Sequence, residues 1–295
     1  MKVRLSPEVV SDASALSLLD DILRFFETGR HEWVVDDIEV IERSQWVEQA
    51  SERHGRRILD LLQKTVTEAV YGGSTPTIEL EIGTGDGRVE PSHAWDAMSQ
   101  PAYLVVENAT SDGRFLRAVI HAYGYTLLET ALSERWLEID QAGGVGEITK
   151  RVGALVHERS ADRRRVQALV DSDRRHPGHE SDTVRSMRAL EQERSITVHV
   201  LHKRDSENYL PLDAIAHAKH GHKRFQQAYK AFCQLSPQEQ DHFDMKKGFG
   251  ADCGRWFVSK DGKVPYYIDR STLEARCSTK PGELPAILSK IEEAL

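Results

Sequence analysis

Cysteine is scarce in this sequence. There are three in 295 residues, Cys233, Cys253 and Cys277, and none has CxxC spacing. That argues against a disulfide framework and leaves a cytoplasmic chain with reduced thiols as the plain reading. Long apolar runs are missing as well. None approaches the ~18 residues of a membrane span, so no membrane partner is expected. The opening "MKVRLSPEVVSD" has no apolar core with a cleavage site, and no signal peptide is expected there. No internal repeat and no low-complexity segment is present.

What remains is an ordinary globular composition, 39% hydrophobic and 29% charged. The net charge of −8 is unevenly placed. Residues 1–95 hold 10 Lys and Arg against 18 Asp and Glu, while residues 96–295 hold 29 of each. Acidity that would oppose a nucleic-acid partner is thus confined to the front third. A length near 300 suggests about two domains.

In that front third, "MKVRLS" reads as a strand, "DASALSLLDDILRFFETG" as a helix stopped by Gly29, and "WVVDDIEVIE" as a strand or a helix start. "SQWVEQASERHGRRILDLLQKTVTEAVYGG" reads as one longer helix ending at Gly72–Gly73. "TPTIELEIGTGDGR" reads as a strand entering a glycine-rich turn. It lacks the Lys-Ser/Thr pair of a nucleotide loop. The polar, proline-flanked "VEPSHAWDAMSQP" marks a boundary near residue 95.

Strands and helices then alternate. "AYLVVE", "WLEIDQ", "VQALVD" and "ITVHVL" are strand-like. "SDGRFLRAVIHAYG", "GEITKRVGALVHER" and "SDTVRSMRALEQE" are helix-like, the last with Ser181 as N-cap. Such alternation predicts a mostly parallel, Rossmann-like α/β sheet, and unbroken apolar strands suit a sheet covered on both faces. Beyond Tyr209 the chain reads as helices, then a hairpin around Asp261–Gly262, then a closing amphipathic helix. The expected division is an acidic N-terminal α/β region at 1–95, a catalytic domain at 96–210 and a helical and hairpin extension at 211–295.

The chemistry is suggested by acids at strand ends. Glu107 follows the first strand of the alternating section, and Asp171 and Asp173 follow the third. In an open parallel sheet, ligands sit beyond the carboxyl ends of the strands. Residues i and i+2 of an extended chain point the same way, so both aspartates would face one point with Ser172 turned aside. Three converging carboxylates call for a hard divalent cation, Mg²⁺ or Mn²⁺.

A glutamate after one apolar strand and a DxD after a later one resembles the TOPRIM domain of topoisomerases, bacterial primases and nucleases. The resemblance runs from about Ala102 to Leu201, through "LVVENATSDGRFL", the diglycine Gly143–Gly144 and "LVDSD". Asn108 stands where that family usually has glycine. "VHVLHKRDSENYLP" and "HFDMKKGF" further resemble the TOPRIM nucleases of the OLD (overcoming lysogenization defect) type and related antiphage effectors. The resemblance implies Glu107, Asp112, Asp171, Asp173 and Glu207 as metal ligands. It also implies Lys246 or Lys247 beside the scissile phosphate. No GxxxxGK[ST] motif is present, so an ATPase sensor would be a separate partner chain.

The expected function is therefore a Mg²⁺- or Mn²⁺-dependent endonuclease acting on DNA or RNA in antiphage defence. Glu107, Asp171, Asp173 and Lys246 would be its catalytic residues. The alternatives are a non-catalytic TOPRIM-like interaction module, a topoisomerase- or primase-related protein, and a DxD glycosyltransferase. Plainer readings also stand for single residues. Glu207 could form a surface ion pair with Lys203 or Arg204, and Asp112 could simply favour a helix dipole. His217, His220 and His222 lack the acid or cysteine partner of a zinc site. With Lys219, Lys223 and Arg224 they suggest a basic face. Arg159–Arg165 and Arg174–Arg175 add further positive charge.

Overall fold

The apolar runs form strands as their composition requires, and they sort into two sheets. The computed structural model describes residues 1–71, 78–158, 162–218 and 223–295. The expected helix stop at Gly72–Gly73, together with Arg159, Lys219, His220 and His222, lies outside them. The chain divides into two compact units. One is Met1–Ala102 with Glu292–Leu295, and the other is Tyr103–Ile291.

The first unit is built on strands β1 (Lys2–Leu5), β2 (Glu32–Val34) and β3 (Glu79–Ile82), in the order β2-β1-β3 and parallel. Val3 lies opposite Trp33 on one side and Leu80 on the other. The helix Leu16–Glu27 buries Leu19, Ile22, Leu23 and Phe26, the three- and four-residue spacing of one helical face. Phe26 stacks on Trp33 with centroids 5.5 Å apart.

Two expectations change here. The long helix over 44–71 is two helices, Gln45–Gln49 and Glu52–Tyr71, because Ala50 takes an extended conformation. Ser51 then restarts the helix, its Oγ accepting from the His54 N–H. The proline-flanked segment placed at a boundary near 95 is the helix Pro91–Ser99, with Ala94 and Met98 buried in this unit's core. Proline suits the first helical position because the missing N–H has no partner there anyway. The division accordingly falls at Ala102 rather than at 95.

The second unit carries β4 (Ala102–Val106), β5 (Leu137–Gln141), β6 (Val166–Val170) and β7 (Thr197–Val200), in the order β5-β4-β6-β7. β4 pairs with β6 and β6 with β7 in parallel. Every residue of β4 and β6 is buried. From β4 the chain steps outward to β5, then crosses back to β6 on the other side. The connections after β4 and β6 therefore part, and a crevice opens at their carboxyl ends. The fold is mixed α/β with mostly parallel sheets, as the alternating pattern predicted.

Residues 211–291 belong to this same unit rather than standing apart as an extension. The hairpin expected around Asp261–Gly262 is only a tight turn, closed by Ser259 N–H to Lys263 O at 2.8 Å, with no strand ladder. The residues before it, Cys253–Phe257, form a short 3-10 helix instead.

Candidate metal centre

β4 ends at Val106, so Glu107 emerges at the mouth of the crevice. Its carbonyl accepts from the Gly143 N–H at 3.0 Å, which ties the diglycine to the strand end. Gly143 and Gly144 have φ of +90° and +143°, a region other residues rarely enter. Asn108 needs no such freedom, since its φ is not positive. Its side chain caps the turn instead, Oδ1 accepting from the N–H groups of Thr110 (2.8 Å) and Ser111 (3.3 Å). This asparagine turn launches the helix Ser111–Tyr123 and places Asp112 in its first turn. Asp112 Oδ2 accepts from the Asn108 N–H at 2.9 Å, and Oδ1 from the hydroxyls of Ser111 and Ser206 at 3.2 and 3.4 Å.

The aspartate pair does not enter one ligand group: Asp171 does, and Asp173 stays outside it. β6 stops at Val170, so the alternation of an extended strand does not carry through Asp173. Ser172 is fully buried and donates to Lys203 O at 2.6 Å, fixing the turn from inside. Asp173 then takes a left-handed φ of +52° and is exposed, with Thr183 Oγ1 donating to its Oδ2 at 2.6 Å. Asp171 points inward, its side chain 13% exposed, and accepts from the Ser206 N–H at 2.7 Å.

That last bond joins β6 to the loop after β7. The short 3-10 turn Ser206–Tyr209 presents Asp205 and Glu207 toward Asp171. One carboxylate oxygen from each of Asp171, Asp205 and Glu207 lies within 4.8 Å of the others. Among the described residues this is the only such group of metal-ligating side chains. Glu207 is 2% exposed and its Oε2 accepts no hydrogen bond. The plain reading of Glu207 as a surface ion pair with Lys203 or Arg204 is thereby overturned. Lys203 is buried against Asp241 instead, and Arg204 pairs with Asp244 at 3.0 Å. Glu207 fits where it does because Gly254 has no side chain. A Cβ there would meet Glu207 Oε1 at 2.9 Å and Ser111 Cβ at 3.0 Å.

Of the two candidate lysines, Lys246 enters this group. Its Nζ lies 3.6 Å from Glu207 Oε2, 3.8 Å from Asp205 Oδ1 and 4.0 Å from Asp171 Oδ2. All three are ion-pair distances longer than hydrogen bonds. Lys247 is 87% exposed and pairs with Asp244. Glu107, Asp112, Asp171, Glu207 and Lys246 line one cavity of about 490 Å³.

The electrostatics follow from burial. Burial, then Asp173 and Asp112, push the Glu107 carboxyl up to about 7. Burial lifts Asp205 to about 6 with Glu207 adding, against the pull of Lys246. Asp171 stands well above the usual carboxylate range, through burial and then Asp112, Asp205 and Glu207. Burial opposes charge on Lys246, but Glu207, Asp205, Asp171 and Asp112 outweigh it and raise its pKa. One ammonium faces five carboxyl groups. The oxygen-only donor set, its spacing and the orphaned Glu207 oxygen fit a hard divalent cation.

A pH dependence follows. A carboxyl with a raised folded pKa adds stability below its unfolded value near 4, and loses it as pH rises through the folded value. The window here runs up to about 6 for Asp205 and about 7 for Glu107. Amides mimic the protonated forms. Metal-free Glu107→Gln/Asp205→Asn is expected to melt with the parent near pH 4 and above it by pH 8. The gap is roughly 3–6 °C if the two groups are worth about 1.5 kcal/mol after solvent screening. His199, pushed down to about 4 by burial, works in the opposite direction but cancels in this difference. A gap that stays constant from pH 4 to 8 would discard the electrostatic account.

Asp205 escaped the sequence reading. Its signal was available in "RDSE", where a second acid stands two residues before Glu207. No family model matches this chain, and no curated protein or solved structure matches it.

Proposed function

We propose that the protein is a divalent-metal-dependent nuclease, cleaving phosphodiester bonds at the cavity bounded by Glu107, Asp171, Glu207 and Lys246. One observation carries the reading: Asp171, Asp205 and Glu207 converge beside a single lysine, with Glu207 Oε2 buried and without a hydrogen bond. Three acids held together in this way favour a bound cation over an empty pocket. Mg²⁺ or Mn²⁺ bound there would neutralise phosphate charge and acidify water. Asp171, Asp205 and Glu207 would hold the ion.

Glu107 lies outside that triad but lines the same cavity. With a pKa pushed up to about 7, it is suited to take a proton from an attacking water near neutral pH. Lys246, 47% exposed, can turn its ammonium toward a phosphate oxygen and steady the charge that develops there. Asp112 orients the turn more than it ligates, since both its oxygens accept hydrogen bonds. The DxD glycosyltransferase alternative needs both aspartates in one ligand group, and the nuclease reading is favoured over it by Asp173 lying outside the group of Asp171, Asp205 and Glu207. A role as antiphage effector beside an ATPase partner belongs to this same proposal and rests on the sequence resemblance alone.

The test is incubation with supercoiled plasmid and, separately, with total tRNA, in Mg²⁺, in Mn²⁺ and in EDTA. Metal-dependent cleavage of either supports the reading and names the polymer. Binding of Mn²⁺ by calorimetry without cleavage of either polymer would favour a non-catalytic acidic module.

A further inference from the structure

A second cavity of about 600 Å³ adjoins the metal centre. The two share Asp252 and Arg255 in their walls. The second is chemically unlike the first. Arg114, Arg255 and Lys260 supply positive charge, and Trp256 and Tyr267 supply aromatic surface. Its volume falls within the roughly 300–1,000 Å³ of sites that enclose small organic groups.

Three features point to a ligand. Arg255 is tied to Asp252 at 3.4 Å, but Arg114 and Lys260 have no ion-pair partner among the described residues. Two cations therefore face the cavity uncompensated. Trp256 is held edge-on by Phe225 and Phe249, at 5.8 and 6.3 Å between centroids, and Tyr267 is backed by His217, stacked at 4.8 Å. Both rings are partly exposed, yet braced in place. Lastly, Arg114 lies two residues beyond Asp112 on the same helix, and Arg255 and Trp256 follow Gly254, which abuts Glu207. The charge and the rings are thus set by the same segments that shape the metal centre.

We infer that this cavity is a subsite for an unpaired nucleotide next to the scissile phosphate. Its base would lie on Trp256 and Tyr267, and its phosphates would face Arg114 and Lys260. The inference rests on the nuclease reading for its choice of ligand. Phosphate contacts give salt-dependent affinity, and stacking on aromatic faces accepts any base but requires it to be unstacked from its neighbours. The occupant is accordingly single-stranded nucleic acid, and DNA and RNA share the chemistry.

The experiment measures binding of fluorescently labelled dT8 and U8 in EDTA, where no cleavage occurs, together with quenching of tryptophan emission. A blunt duplex of equal length is the comparison. The expected result is binding of one or both oligomers at least tenfold tighter than the duplex. The quench should be absent in Trp256→Phe, which keeps the edge contacts beneath the ring. Arg114→Glu/Lys260→Glu reverses the charge at the half-buried Arg114 and the exposed Lys260, and its melting temperature is read beside the parent's. It is expected to weaken binding tenfold or more and to flatten the salt dependence. Preference between dT8 and U8 identifies the polymer. Binding within twofold of the parent in the charge-reversed variant, equal affinity for duplex, or a quench that survives Trp256→Phe would each overturn the subsite. Asp171→Asn/Glu207→Gln separates this inference from the nuclease reading. Single-strand binding that persists in it, in a protein whose parent cleaves nothing, removes the nuclease and keeps the subsite.

Discussion

Asp171→Asn and Glu207→Gln are each expected to reduce metal-dependent cleavage by about 10³ or more, roughly 4 kcal/mol of transition-state stabilisation. Repulsion among the carboxylates sets both the metal affinity and the cost of the empty site. Asp171, Asp205 and Glu207 bring ligand oxygens within 4.8 Å of one another; among the described residues Lys246 is the one cation within 4.0 Å of all three, and Arg204 adds a contact to Asp205 alone at 3.6 Å. Replacing one carboxylate by its isosteric amide removes a ligand and also removes a source of repulsion. The two consequences have opposite signs. Without metal, either variant should melt above the parent at pH 8. With Mn²⁺ at about 100 times its Kd, the parent gains roughly 2.7 kcal/mol, or some 5–10 °C in a unit of this size, and the variants gain little. Damage to the fold would lower both melting temperatures instead. Variants that retain full cleavage, or an unchanged shift with Mn²⁺, would remove these residues from the centre.

The second large effect lies behind the site. Lys203 is fully buried and forms an ion pair with Asp241, which is 1% exposed. The Thr279 hydroxyl also donates to Asp241, and the Lys203 ammonium sits 5.3 Å from the centroid of the Tyr209 ring. Burial pulls the Lys203 pKa down and Arg276 adds to this, while Asp241 holds the charge in place. Lys203→Met leaves Asp241 charged and without its cation in the interior. The expected cost is about 3–5 kcal/mol, read as a lower guanidinium midpoint at unchanged slope. Lys203→Met/Asp241→Leu should recover most of it, because the uncompensated charge leaves with the second change. The pair also bears on the metal centre. Arg204 N–H donates to Asp241 O at 2.9 Å, one residue before Asp205. Weakened Mn²⁺ binding in the single variant is therefore expected alongside the loss of stability. A single variant as stable as the parent would mean that water or local relaxation compensates Asp241.

The neighbours of this pair explain how one loop can hold two buried acids. Arg276 donates to the carbonyls of Leu210 (3.0 Å) and Asn208 (2.5 Å) and to Gln240 Oε1 (2.7 Å). Glu283 accepts from the Tyr209 hydroxyl at 2.7 Å and from the His202 N–H at 2.6 Å. The loop 202–210 is thus anchored by side chains from far along the chain, which satisfy the carbonyls of Asn208 and Leu210, the Tyr209 hydroxyl and the His202 N–H. Residues 211–291 serve the α/β sheet as a clamp on this loop.

Local pattern determined a good deal by itself. Short, mostly apolar runs alternating with helical segments read as buried strands, so β4 and β6 were legible, as was the carboxylate that follows each. Ser181 was legible as an N-cap because its hydroxyl accepts from the Val184 N–H just inside the helix. Glu107, Asp171, Glu207 and Lys246 were legible as residues of one cavity, through their places in the pattern and in the family resemblance. Only the tertiary structure decided the rest. That Asp173 stays outside the triad depends on where β6 stops and on Ser172 being pinned to Lys203 O, a partner 31 residues distant. That Asp205 joins Asp171 depends on the loop after β7 being clamped by Asp241, Arg276 and Glu283. Choosing between Lys246 and Lys247 needed the direction of one short helix. Strand and helix formation is read from neighbours a few residues apart, whereas the convergence of charges is set by contacts between segments whose separation in sequence carries no periodic signal.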